Sequence, residues 1–179
     1  MSEAIAGRLI GIARRSGRYT PMEQVDAIDV LRGAGLEGDH KGPKFPNRGV
    51  TILSREAWEE ALAELKDLAD PVPLPWTARR ANLLVEGLRL PQARGAVLEV
   101  GPLRLEVTAQ TFPCGRMEAV HKGLMKALAA DWRGGICCRV IAGGRIRLGE
   151  LVTALSGPAA GAAVHGLRAR KAIMTFRAV

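Results

Sequence analysis

Apolar and polar positions change period several times along the chain, and each change predicts an element. Residues 8–13 (Arg-Leu-Ile-Gly-Ile-Ala) are rich in Leu and Ile and predict a first strand. Val25-Asp26-Ala27-Ile28-Asp29-Val30 alternates apolar with acidic or small residues, the period-two pattern of a half-buried strand. The stretch from Gly33 to Pro43 carries too much glycine for regular structure and reads as a loop. Val50-Thr51-Ile52-Leu53 is a short run suited to a buried strand. Ser54 follows as an N-cap, with Glu56 placed to complement a helix dipole. Trp58, Ala61, Leu62, Leu65 and Leu68 recur at helical spacing, so residues 55–69 predict a helix packed outside the sheet through Trp58, Leu62 and Leu65. Pro71, Pro73 and Pro75 then make an extended connector.

In the second half, residues 81–86 read as a strand, and Leu98, Val100, Leu103, Leu105 and Val107 alternate around Gly101-Pro102 as a hairpin. Met117, Val120, Leu124, Leu128 and Trp132 suggest a second amphipathic helix, with Gly123 inside it. Residues 136–142 and 145–152 predict two strands, joined through Gly143-Gly144 as a tight hairpin. About eight strands and two helices, without βαβ spacing, predict a mainly β fold: an antiparallel barrel with appended α-helices. That domain covers residues 1–155. The remainder, residues 156–179, is small-residue-rich and then basic, and reads as a loosely attached tail.

The chain has 179 residues, enough for one domain with a substantial core. Its 47% hydrophobic and 25% charged residues exclude wholesale disorder. No apolar run approaches the length of a membrane span, and the acid at Glu3 breaks any export pattern. Three cysteines, two of them adjacent, make no disulfide framework. The expectation is a cytoplasmic, reduced protein that does not act at a membrane. Arginine dominates the cations, with 26 Lys plus Arg against 18 Asp plus Glu and a net charge of +8. Guanidinium forks suit phosphate. Aromatics at 4% leave few platforms for base stacking, which argues against nucleic acid as a partner.

Cys114 lies in Thr111-Phe112-Pro113-Cys114-Gly115-Arg116, between a residue that fixes the backbone and one that frees it. Arg116 favours the thiolate, the nucleophilic and metal-binding form, while a buried structural cysteine is the alternative. Cys137 and Cys138 sit on a predicted strand with side chains on opposite faces, a geometry for packing rather than chelation. Asp39 and His40 lie among glycines that permit close approach to a ligand, and Arg79, Arg80 and Asn82 form a dense polar set. His121 and His165 have no evident partners.

Taken in order, these blocks resemble the MOSC domain, named after the C-terminal domain of molybdenum cofactor sulfurases. Gly38-Asp39-His40 with Arg48-Gly49-Val50-Thr51-Ile52-Leu53-Ser54 is similar to its first signature, and Arg79-Arg80-Ala81-Asn82-Leu83-Leu84-Val85 with Gly87-Leu88 to its second. Thr108-Ala109-Gln110-Thr111-Phe112-Pro113-Cys114 resembles the block holding the characteristic cysteine. Arg133-Gly134-Gly135-Ile136-Cys137-Cys138-Arg139-Val140, with Gly144 and Gly149, resembles the closing hairpin. The resemblance spans residues 8–153 and is to the stand-alone bacterial type. The second block often reads Arg-Arg-Asn, whereas Ala81 here separates Arg80 from Asn82, so the ligand-facing role is open between Arg79 and Arg80.

The resemblance implies a β-barrel that binds molybdenum cofactor through Cys114, with Gly38, Asp39, His40, Arg48, Arg79, Arg80, Asn82 and Arg116 around it. It implies an oxidoreductase module that reduces N-hydroxylated compounds, taking electrons from a separate flavin or iron–sulfur protein. The alternative is a carrier whose Cys114 bears a persulfide received from a cysteine desulfurase, without turnover of its own. Pyridoxal phosphate is not expected, because it belongs to a domain of the fused relatives for which this chain has no room.

Overall fold

The computed structural model describes residues 6–65 and 74–155. Leu68, Pro71 and Pro73, and the tail of residues 156–179, lie outside the described residues. Eleven strands form: β1 Ala6–Arg14, β2 Glu23–Gln24, β3 Ala27–Leu31, β4 Gly35–Leu36, β5 Val50–Ser54, β6 Leu83–Glu86, β7 Val97–Val100, β8 Leu103–Gln110, β9 Ile136–Ala142, β10 Gly144–Arg147 and β11 Leu151–Leu155. Three short α-helices join them: α1 Arg55–Ala63, α2 Gly115–Val120 and α3 Leu124–Ala129.

Strands β11, β7, β8, β9, β5, β6 and β1 are hydrogen-bonded in that order, and a further pairing of β1 with β11 closes them into a barrel. Every pair is antiparallel except β5–β6. The two-residue β2 extends β1, while β10, β3 and β4 form a small separate sheet. A mainly β barrel with appended helices is thus the fold, as the alternating pattern predicts.

Period two explains where the core sits. Leu9, Ile52, Leu83, Val85, Leu98, Leu105, Val107, Ile136 and Cys138 point into the barrel and pack as one cluster. Each Leu or Ile so buried contributes about 1.5–3 kcal/mol. The alternate residues point outward. Leu53 and Leu84 on that outer face meet Trp58 and Ala61 of α1, Met117 of α2, and Leu124 and Leu128 of α3 in a second cluster. Leu65 and the half-buried Leu62 join it, so the first helix packs where its spacing places it. Its N-cap is also as expected: Ser54 Oγ accepts from the Ala57 amide at 3.4 Å.

Three local expectations are corrected. The helix expected over residues 55–69 ends at Ala63 with Glu64 as its cap, and residues 66–69 lie outside the described residues. The helix expected across residues 117–132 is two helices, because His121 is extended and Gly123 takes φ +87°, which no helix contains. Gly143-Gly144 does not close a hairpin between its flanking strands. Both edges of β9 are already filled by β8 and β5, so β10 pairs with β3 instead. Gly143 permits this, since a Cβ there would stand 2.4 Å from the Val30 carbonyl oxygen. The run expected as one strand from Arg145 also breaks at Gly149, with φ +91°, into β10 and β11.

Candidate functional site

A cleft of about 620 Å³ opens on the outer side of the barrel wall. That is within the range of small-molecule sites, about 300–1,000 Å³. Its wall comes from the outward residue Thr51 of β5 and from Ala109 and Gln110 of β8, with Thr111 to Cys114 continuing from the end of that strand. In register, Thr51 and Ala109 each stand opposite Cys137 of β9. Cys137 is therefore directed away from the lumen that its neighbour Cys138 fills. It is 1% exposed, and its Sγ lies 3.2 Å from Thr111 Oγ1.

Seven cationic side chains line the cleft: Arg15, Arg18, Lys41, Arg48, Arg79, Arg80 and Arg116. No carboxylate lines it among the described residues. Arg79 is the most sheltered, at 7% exposed. It ends a 3-10 turn, Trp76–Arg79, and its Nε and Nη2 donate to the carbonyls of Gly134 at 3.0 Å and Thr111 at 2.9 Å. Gly134 makes room for this arrangement, since a Cβ there would meet the Thr111 oxygen at 2.5 Å and Arg79 Nη2 at 3.1 Å. Burial lowers the affinity of Arg79 for its proton, while Cys114 and Cys137 work the other way. A guanidinium is thus held by neutral oxygens with its charge uncompensated, which is a costly arrangement unless an anion completes it. Lys41 is pushed down to about 8, first by burial and then by Arg48 and Arg15, with Cys137 and Asp39 opposing.

Cys114 is exposed at the lip of the cleft, extended at φ −123° and ψ 175° immediately before α2. Arg48, Arg79, Arg80 and Arg116 share the cleft with it. Gly38, Asp39, His40 and Asn82 do not line it. Asp39 and Asn82 are buried beneath, where they join the loops that carry the site. The Asp39 carboxylate accepts from the amides of Arg15, Lys41 and Gly42 and from Asn82 Nδ2. Asn82 Oδ1 in turn accepts from the Thr51 amide and hydroxyl, both at 3.0 Å. Gly38 holds φ +74° in the same turn, and His40 sits beside Lys44, 3.3 Å from its Nζ. Gly38, Asp39 and His40 therefore hold the loops that carry the cleft's cations instead of entering it, while Arg48 and Thr51 of the same signature line it.

Sequence reasoning passed over Arg15, Arg18, Lys41, Thr51 and Thr111. One signal was present: no acid occurs between Glu3 and Glu23, while Arg8, Arg14, Arg15 and Arg18 do.

Comparison with known proteins agrees with this architecture. The MOSC domain family model matches residues 38–153. The YuaD protein from Bacillus subtilis superposes with a TM-score of 0.67 at 19% identity, covering 86% of this chain and 98% of that one. YiiM from Escherichia coli superposes at 0.61 with 20% identity, over 84% of this chain and 71% of its own. YiiM from Geobacillus stearothermophilus gives 0.57 at 16% identity, over 85% and 74%. No curated protein matches the chain. Among the described residues, no helix is long and apolar enough to cross a membrane.

Proposed function

The chain belongs to the MOSC domain family, which is associated with molybdenum cofactor binding, and we propose that it holds that cofactor in the basic cleft and acts as an oxidoreductase on N-hydroxylated compounds. The observation that carries this reading is the pairing of an exposed thiol, Cys114, with a buried guanidinium, Arg79, that has no carboxylate partner among the described residues.

The residues fit such a group. A thiolate is a soft ligand suited to molybdenum. Arg79, with Lys41 and Arg48, supplies the positive charge that the cofactor's phosphate requires, and Arg79 is pre-oriented by its two carbonyl contacts. When bound, the cofactor supplies two-electron chemistry at the metal. The net reaction converts an N-hydroxyl compound, two electrons and two protons into the amine and water. The electrons come from a separate flavin or iron–sulfur protein. The compartment that suits a free thiol at an exposed position is a reduced one, the cytoplasm.

An exposed Cys114 also suits the second reading, in which it receives persulfide sulfur from a desulfurase. One experiment separates the two. Wild type and Cys114→Ser are expressed in a host that makes the cofactor, and molybdenum, pterin and sulfane sulfur per chain are measured beside the melting temperature. The expected result is molybdenum with pterin in the wild type and its loss in Cys114→Ser, with the melting temperature of the two cofactor-free proteins the same because the side chain is exposed. Sulfane sulfur without molybdenum selects the carrier. Molybdenum retained by Cys114→Ser overturns the assignment of Cys114.

A further inference from the structure

The cleft is continuous with two shallow hollows on the outer face of β8 and β9. The first, of about 340 Å³, shares Arg48 and Ala109 with the cleft. The second, of about 380 Å³, shares Asn47, Glu106 and Arg139 with the first. Together they form a groove that leaves the cleft and reaches Arg32 and Gly33, in the turn after β3. The seven cations of the cleft are joined along it by Arg94, Arg139 and Arg32, against one carboxylate among the described residues, Glu106. Glu106 is already committed, since Arg139 Nε and Nη2 donate to it at 3.0 and 2.6 Å. Arg32 and Arg94 are exposed and make no ion pair among the described residues. Beside α1 the charge is balanced instead: Arg55 meets Glu59 and Glu86, and Arg133 meets Glu60 and Glu64.

Aromatic residues are few in this chain, but their placement matters more than their number. Phe and Tyr side chains normally bury most of their surface. Here Tyr19, Phe45 and Phe112, the Phe and Tyr of the described residues, are 76, 56 and 72% exposed. All three stand along the groove. Phe112 lines the cleft, and Tyr19 lies against Arg18 of the cleft, whose guanidinium is 5.3 Å from the ring centre. Phe45 immediately precedes Pro46 and Asn47, which line the hollows. Its segment, residues 43–48, is exposed throughout. Two features hold it in place: Pro46 fixes the backbone after the ring, and Thr108 Oγ1 of β8 donates to the Asn47 carbonyl. The ring of Phe45 is thus presented to solvent from an anchored loop.

We propose that this groove binds single-stranded nucleic acid, with phosphates on its arginines and bases stacked on Phe45, Phe112 and Tyr19. Uncompensated guanidinium groups spread over three adjoining hollows match a polyanion, whereas one phosphate would occupy only one of them. Exposed rings interleaved with cations suit a strand whose base faces are free. A duplex hides those faces, and an acidic peptide supplies charge without them. Composition alone predicts the reverse, because it counts rings without placing them. The residues that test the assignment, Arg32, Arg94 and Phe45, do not line the cleft, so it does not depend on what the cleft holds.

The test is fluorescence anisotropy of the full chain with a labelled single-stranded RNA of mixed sequence, across a salt series. Competitors are the same strand without its bases, the duplex of the same sequence, and polyglutamate. Affinity for the RNA is expected to fall linearly with salt on logarithmic axes. Arg32→Gln and Arg94→Gln should each lower that slope by about 0.7, the effect of losing one phosphate contact on a single strand. Both side chains are exposed and outside the ion pairs, so folding is not at stake. Arg89→Gln removes the same charge beside Glu56 and Glu60, off the groove, and should leave the slope unchanged. Phe45→Ala should weaken the RNA about tenfold, the loss of one stacked base, and leave binding of the base-free strand as it was. Equal effects of Arg89→Gln and Arg94→Gln reduce the groove to net charge and overturn the proposal. So does a duplex or base-free strand that competes as well as the RNA. Polyglutamate that competes better than the RNA, with no effect of Phe45→Ala, makes the occupant an acidic protein and overturns nucleic acid as well.

Discussion

Arg79 and Arg133 are the same side chain in two cavities, and they are held in opposite ways. Arg133 borders a second cavity of about 420 Å³, against α1, together with Glu56, Glu60 and Asp131. Its guanidinium meets Glu60 and Glu64, and those carboxylates raise its affinity for a proton. One acid beside it is also occupied: Glu56 accepts from the Gly87 amide at 2.7 Å and from Ser54 Oγ at 2.9 Å. The charge of Arg133 is thus neutralised within the protein by Glu60 and Glu64, even though its Nε has no hydrogen-bond partner among the described residues. Among the described residues Arg79 hydrogen-bonds only to carbonyl oxygens, and burial lowers its proton affinity. Its charge is fixed in direction and left free. Volume and residue type do not separate a site from a crevice here. Internal compensation does.

The sharpest way to break this contrast is to remove each charge in turn. Arg79→Gln should lower molybdenum and pterin content per chain by tenfold or more, since a charge-assisted contact contributes about 1.5–3 kcal/mol. Arg133→Gln should leave that content unchanged and lower stability by about 1 kcal/mol or less, the usual effect of an exposed ion pair. Metal analysis beside urea denaturation reads both. Equal loss of cofactor in the two variants would mean that the cavities do not differ in kind.

Much of the barrel was legible because period-two alternation is a local signal. Val50-Thr51-Ile52-Leu53 and the strands around Gly101-Pro102 form where their patterns place them. The pairing of β10 was not legible. Gly143-Gly144 carries a hairpin's local chemistry, but which strand edge is vacant depends on β5 and β8, distant in sequence. The site divides along the same line. Cys114, Arg79, Arg80 and Arg116 sit in or beside recognisable turns, and all four reach the cleft. Lys41 and Arg15 belong to other segments and are brought there by the closure of β1 on β6 and by the loop tied to Asp39. Asp39 and Asn82 look like ligands in sequence because buried polar residues and binding residues share a composition. Only their hydrogen bonds show that they hold backbone.

A smaller effect tests whether one strand truly separates the lumen from the cleft floor. Cys138 lies in the apolar lumen, where burial holds its thiol far above the ordinary range, and a serine there would bury a hydroxyl without a partner. Cys138→Ser should cost about 1–3 kcal/mol. Cys137→Ser should cost less, because Thr111 Oγ1, now 3.2 Å from Sγ, is a ready partner for the new hydroxyl. Melting temperatures of the two variants measure the difference. Equal losses would show that the two faces of β9 are alike.

The least effect, and the most specific in sign, belongs to Lys41. Its ammonium is pushed down to about 8, chiefly by burial, with Arg48 and Arg15 adding repulsion. An unfolded lysine keeps its proton to about 10.4. Between those values the unfolded chain binds more protons than the folded one, so this group makes stability rise with pH from about 8 to about 10.4. Below that window both states are charged, and the penalty for holding the charge in the cleft is felt in full. Lys41 is partly open to solvent, which moderates the penalty. Lys41→Met removes the charge and keeps much of the side-chain volume. The variant should be more stable than wild type by about 1 kcal/mol at pH 7, and the gap should close as the pH approaches 10. A bound anion acts against this trend, because it stabilises the ammonium. With 10 mM inorganic phosphate present, the advantage of Lys41→Met at pH 7 should therefore shrink. Urea midpoints of the two proteins at pH 7, 8, 9 and 10, with and without phosphate, test both statements. A difference that stays constant across pH would mean that Lys41 is as well compensated as Arg133, and the contrast between the two cavities would not extend to it.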